Sequence, residues 1–107
     1  MIKRLKVEFL IPLKYNDGTN VDIKKLLDVR KKVVDLFGAV TYSPVPTEGI
    51  WIDPNTHKRY YDRCSRFEVS IEKSPEIDNI LKDLKNDLKK TFKQEDIYMY
   101  YTEITQI

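Results

Sequence analysis

Trp51, Tyr60, Tyr61, Asp62 and Arg66 fall within one short stretch, residues 48–66, which also holds the only tryptophan and the only histidine of the chain. Trp, Tyr and Arg are the side chains that anchor interfaces when they cluster and lose water. Two aromatic, polar-studded runs flank Asp53-Pro54-Asn55-Thr56. In that tetrad Asp can bond back to the backbone, Pro presets its own φ and Asn accepts unusual angles, so the stretch predicts a hairpin. Its chemistry is recognition: a rigid aromatic surface with one acid and one guanidinium. The competing expectation is structural, with Trp51 packing across the hairpin on Tyr60 or Tyr61 as a cross-strand pair.

The residues that could do covalent or acid–base work are less well supported. His57 sits at the turn, where neither a partner to fix its tautomer nor a cleft to exclude water is expected. Cys64 would need a positive field to become a thiolate, but on a strand only Arg66 shares its face, so it reads as a small buried filler. One His and one Cys leave most of a tetrahedral metal site to carboxylates without recognisable spacing, so no metal and no cofactor are expected. Glu48, Asp53, Asp62 and Glu68 are not forced into a catalytic pair by their spacing. The three separated glycines cannot make a phosphate-binding loop. An enzymatic alternative nevertheless stands: a small hydrolase or isomerase with a cleft between hairpin and sheet, using Asp62, Arg66 and His57.

Bulk properties exclude other classes. A chain of 107 residues is read as a single domain, 1–107, with room for one core. Its 19 basic and 17 acidic residues leave +2, which gives no excess of positive charge for a phosphate backbone. Nucleic-acid binding is therefore the weakest alternative. The apolar runs fall short of the ~20 residues a membrane span needs, and the N-terminus carries no leader pattern, so a cytoplasmic protein without membrane attachment is expected.

The elements that would position the hairpin are read from periodicity. Leu5, Val7, Phe9 and Ile11 alternate with polar residues and predict a half-buried strand. Ile23, Leu26, Leu27, Val33, Val34 and Phe37 recur at helical spacing, with Arg30 a polar break, Asn20 or Asp22 as cap and Gly38 as terminator. Residues 39–43 read as extended before Pro44 and Pro46, and residues 49–52 and 57–71 as the hairpin arms. Ser74-Pro75-Glu76 predicts a helix start, with Ser74 capping, followed by a stripe of Ile77, Ile80, Leu81, Leu84, Leu88 and Phe92. Residues 97–104 read as a last strand. The order defines an α+β fold: a ferredoxin-like βαββαβ sandwich, an antiparallel sheet with two helices on one face and an extended central hairpin.

Such a sandwich buries one face of its sheet, yet the last strand is apolar on both sides. Leu10, Tyr98 and Tyr100 are therefore expected to be covered by a second subunit in a homodimer.

The motifs Phe37-Gly38-Ala39-Val40-Thr41, Glu48-Gly49-Ile50-Trp51-Ile52-Asp53-Pro54-Asn55-Thr56 and Tyr60-Tyr61-Asp62 resemble those of small bacterial proteins of unassigned function. These share a strand opening into Ile-Pro-Leu, a helix ending in Phe-Gly-Gly and a G-x-W-x-D-P-x-T hairpin. Ala39 stands where a second glycine is usual. The resemblance spans nearly the whole chain and implies the same fold, with no assigned activity. The reading that follows is a non-enzymatic protein-interaction or regulatory module, homodimeric, that grips a protein partner with the 48–66 hairpin.

Overall fold

A computed structural model describes residues 1–43 and 45–107. Alternation builds its central strand, β1 (Ile2–Pro12): Leu5, Val7, Phe9 and Ile11 are buried on one face, while Arg4, Lys6, Glu8 and Leu10 take the other. The chain continues through α1 (Ile23–Phe37), β2 (Thr41–Tyr42), β3 (Thr47–Ile52), β4 (Arg59–Ile71), α2 (Ile77–Thr91) and β5 (Met99–Gln106). The antiparallel sheet runs β2-β4-β1-β5, with β3 also pairing to β4. This is the expected ferredoxin-like arrangement, with α1 and α2 supplying the apolar cover of one face. Phe9 stacks on Phe67 at 5.1 Å, and Val29, Val33, Leu81, Leu84, Leu88, Phe92 and Ile97 close the core around them.

Several local expectations hold. Asp22 caps α1 by accepting from the Lys24 N–H at 2.9 Å, and Gly38 ends it at φ 82°. Others are corrected. The buried stripe of α1 is Val29 and Val33, flanked by half-buried Leu26 and Phe37, whereas Ile23, Leu27 and Val34 are exposed. The positions 26, 29, 33 and 37 satisfy the i, i+3, i+4 rule better, so the helix turns that face inward. Ser74 does not cap α2; its carbonyl accepts a backbone bond from Ile77 at 3.3 Å, and the helix begins behind Glu76 without a side-chain cap. The last strand starts at Met99 rather than Ile97, and β1 starts earlier, at Ile2.

What positions the site is the length of β4. Its residues from Cys64 to Ile71 pair with β1, ending at Pro12 opposite Cys64. Beyond that point, residues 59–63 pair with β3 alone, apart from one bond from the Leu13 N–H to the Arg63 carbonyl. The hairpin thus leaves the body as a free arm. β2 and β3 share one side of β4, but the six residues from Tyr42 to Thr47 face four from Phe67 to Cys64, so two extra residues break the edge. Pro46 lies in that break; the interruption expected at Pro44 lies outside the described residues. Among the described residues, no helix is long and apolar enough to cross a membrane.

Candidate functional site

The arm is held at its tip by Asp53. Its carboxylate accepts from the N–H groups of Asn55 (2.7 Å) and Thr56 (3.2 Å), and its carbonyl accepts from His57. His57 takes the left-handed backbone conformation, φ 58°, that the sequence reading assigned to Asn55. Register then sets the faces. Trp51 lies opposite Tyr60 and Gly49 opposite Asp62, on the sheet face that the helices leave uncovered; Ile50 and Tyr61 pair on the reverse. Trp51 stacks on Tyr60 at 4.5 Å with rings 15° apart, and its indole N–H donates to Asp62 at 2.9 Å. Lys58 stands 5.2 Å from the Tyr60 ring centre. The indole is fixed in orientation yet remains 48% exposed.

Between this face of the arm and the body runs an open groove of ≈ 1000 Å³. Leu10, Tyr15, Trp51, Tyr60, Asp62 and Tyr98 line it, with Cys64 at the junction of arm and body. The loop after β1 brings Tyr15 to the rim through a tight turn at Gly18 (φ 86°), in which the Tyr15 N–H donates to the Thr19 carbonyl. The Asp17 carboxylate accepts from the Thr19 hydroxyl and N–H, and these bonds hold its pKa below the usual aspartate value. Lys25 fixes the phenol, donating to the Tyr15 hydroxyl at 2.6 Å. Gln94 reaches across to Asn16 at 3.4 Å and ties the opposite wall to this loop. Cys64 is half-buried, not a buried filler, because it lies on the uncovered face. Burial, and secondarily the Asp62 charge, push its thiol pKa up, so it stays protonated and poorly nucleophilic at neutral pH.

A second constellation adjoins the groove. Glu8 and Glu68 face each other across β1 and β4, two like charges that would repel if left alone. Lys6 lies between them, 3.3 Å from Glu8 and 3.1 Å from Glu68, and its pKa is raised by Glu68 and then Glu8. The Glu68 Oε2 is shielded from solvent, and the Lys6 ammonium at 3.1 Å is its countercharge. Arg66 approaches Glu8 from the other side at 3.6 Å. Glu8 is only 7% exposed although no helix covers it. A cavity of ≈ 150 Å³ opens beside it, lined by Leu10, Arg66, Tyr98 and Tyr100.

The residues singled out from sequence therefore divide. Trp51, Tyr60 and Asp62 come together as one rigid unit. Tyr61, 70% exposed, faces away with Ile50 because side chains alternate along a strand. Arg66 shares the face of Asp62 but belongs to the Glu8 cluster, and His57 stays at the exposed tip. Leu10 and Tyr98 line the groove, and Tyr98 meets Tyr100 edge-on at 5.5 Å. Glu8 and Tyr15 were missed. Glu8 reads as one more polar residue in an alternating strand, and its burial depends on Lys6 and Arg66 folding over it.

No family model and no curated protein matches the chain. Among solved structures, it is similar to a phage SAM lyase in complex with S-methyl-5'-thioadenosine, at 13% identity and a TM-score of 0.69, over 96% of this chain and 90% of that one. That likeness is one of fold.

Proposed function

We propose that this chain binds a small molecule with a flat aromatic group, of the purine nucleoside type, in the groove between the arm and the body. The observation that carries the reading is the fixed Trp51–Tyr60–Asp62 unit on the groove wall. A stacked pair of rings offers a flat apolar surface, while carboxylate and phenol groups around it provide directional hydrogen bonds, the usual composition of a cofactor or ligand cleft. The fold-level neighbour solved with an adenosine thioether supports the choice of ligand class. The sole tryptophan provides the test. Titration with S-methyl-5'-thioadenosine, excited at the red edge of indole absorption, is expected to shift or quench Trp51 emission saturably, and Tyr60→Ala is expected to weaken the response. An unchanged spectrum at millimolar nucleoside rejects the ligand class.

A second reading, a protein-interaction or regulatory module, is favoured by the reverse of the arm. Ile50 (66% exposed), Ile52 (53%) and Tyr61 form an apolar strip that the groove does not use. A protein partner gripping the arm would cover it. Isothermal titration of a candidate partner against Ile50→Ser with Tyr61→Ser tests this reading, and full retention of affinity in the double variant rejects it.

A further inference from the structure

We propose that β5 pairs antiparallel with β5 of a second copy of this chain, across a two-fold axis at Thr102, to make one continuous sheet. Sheet edges are templates for pairing, and soluble proteins blunt them with prolines, lysines or bulges. The two edges of this sheet differ. On one side the β2–β3 edge is broken by two extra residues and Pro46. On the other, β5 runs unbroken over Met99–Gln106, pairs only with β1 among the described residues, and contains no Pro, Lys or Arg.

Bond alternation shows which groups are free. The Leu10 N–H donates to the Tyr98 carbonyl at 3.1 Å, so Tyr100, Thr102, Ile104 and Gln106 bond inward to β1. Met99, Tyr101, Glu103 and Thr105 then turn their N–H and C=O groups to the open edge.

The sequence of β5 selects both the occupant and the register. A two-fold at Glu103 would set Glu103 against itself, like charge on like charge. A two-fold at Tyr101 would leave the end of β5 unpaired. Centred on Thr102, Met99 meets Thr105 of the second copy, Tyr101 meets its Glu103, and Tyr100 meets its Ile104, an aromatic–β-branched pair. Tyr98 and Tyr100, exposed at 65% and 41%, acquire neighbours on the uncovered face. On the helix face, Glu103 of the second copy comes beside Tyr101, at the apolar hollow between α2 and β5 whose rim carries Lys82, Asp78 bonded to Tyr101, and Lys85 paired with Asp96.

Cysteine cross-linking reads the register directly. Thr102 would form a non-hydrogen-bonded pair with itself, Cα atoms about 4.5 Å apart, within the ~4.4–6.8 Å that a disulfide spans. In a Cys64→Ser background, Thr102→Cys is expected to give a disulfide-linked species of twice 12.7 kDa under mild oxidation, while Leu10→Cys is not. The unmodified chain is expected to elute as a dimer in light-scattering chromatography, and Thr102→Lys to weaken self-association by about fivefold or more through like-charge pairing. A folded, monomeric parent at high concentration overturns the proposal. So does a dimer that cross-links at Leu10 and not at Thr102.

Discussion

The two ends of β4 are one strand with two different environments. From Phe67 to Ile71 every second side chain is buried against the helices, and the ladder is shared with β1. From Arg59 to Arg63 the same backbone pairs with β3, with one bond from Leu13 at Arg63, and its side chains are mostly open to water on both faces. The arm half, Arg59-Tyr60-Tyr61-Asp62-Arg63, has more aromatic residues than Phe67-Glu68-Val69-Ser70-Ile71 but lacks its strict apolar–polar alternation. Only the body half has a second layer to bury against. Aromatic residues at the arm therefore bury less apolar surface than those of the body, as the proposed binding role of the arm requires.

The comparison breaks most easily at Phe67. Phe67→Ala removes a fully buried ring stacked on Phe9 and is expected to cost about 3–5 kcal/mol, read as a large drop in the denaturant midpoint. Trp51→Ala removes a larger ring from the arm yet is expected to cost about 1 kcal/mol or less, as a cross-strand pair does. If thermal unfolding ranks the two substitutions equally, the arm is structural after all.

A smaller effect sharpens the boundary between the halves. Cys64 stands at the junction, with its thiol pKa raised by burial. Alkylation by iodoacetamide at pH 8 is expected to run several-fold slower in the folded chain than in denaturant. A rate equal to that of the unfolded chain contradicts the junction geometry.

The smallest effect concerns pH. Asp17, Asp87, Asp96 and Glu103 are held below their ordinary pKa values, by Thr19, Lys32, Lys85 and Lys73 respectively, and all belong to the body. A carboxyl lowered in the folded state stabilises above its unfolded value and loses that contribution as pH falls through the folded one. A modest, salt-sensitive decline in stability is therefore expected below about pH 4. These pairs are solvent-exposed, so screening keeps each contribution small. A melting temperature that rises between pH 5 and pH 3 contradicts this assignment.

Much of this architecture was legible in the sequence because alternation and helical spacing report burial directly. The strand of β1, both helices, the Asp53 turn and the arm followed from such patterns. The partner of Trp51 was legible only as Tyr60 or Tyr61, because the loop holds six residues, 53–58, where a four-residue turn was expected. The inward face of α1 was misread because Ile23, Leu27 and Val34 are as apolar as the residues beneath, and composition alone cannot rotate a helix. Arg66 was grouped with Asp62 by residue type and nearness in one stretch; the claim of Glu8 on it depends on β1 lying alongside, a contact between positions far apart in the chain. A cleft between hairpin and sheet was among the alternatives read from sequence, but the walls supplied by the loop after β1 and residues 94–98 were not, for the same reason.

The central claim is that the Trp51 face of the arm is a working surface and not a structural one. Its most direct test is Trp51 emission followed during nucleoside titration, in the parent chain and in Tyr60→Ala, with melting temperatures taken on the same samples. The account predicts a saturable response in the parent that is weakened in the variant, while the two melt within a few degrees of each other. No response in the parent, or a variant that melts far below it, would contradict the account.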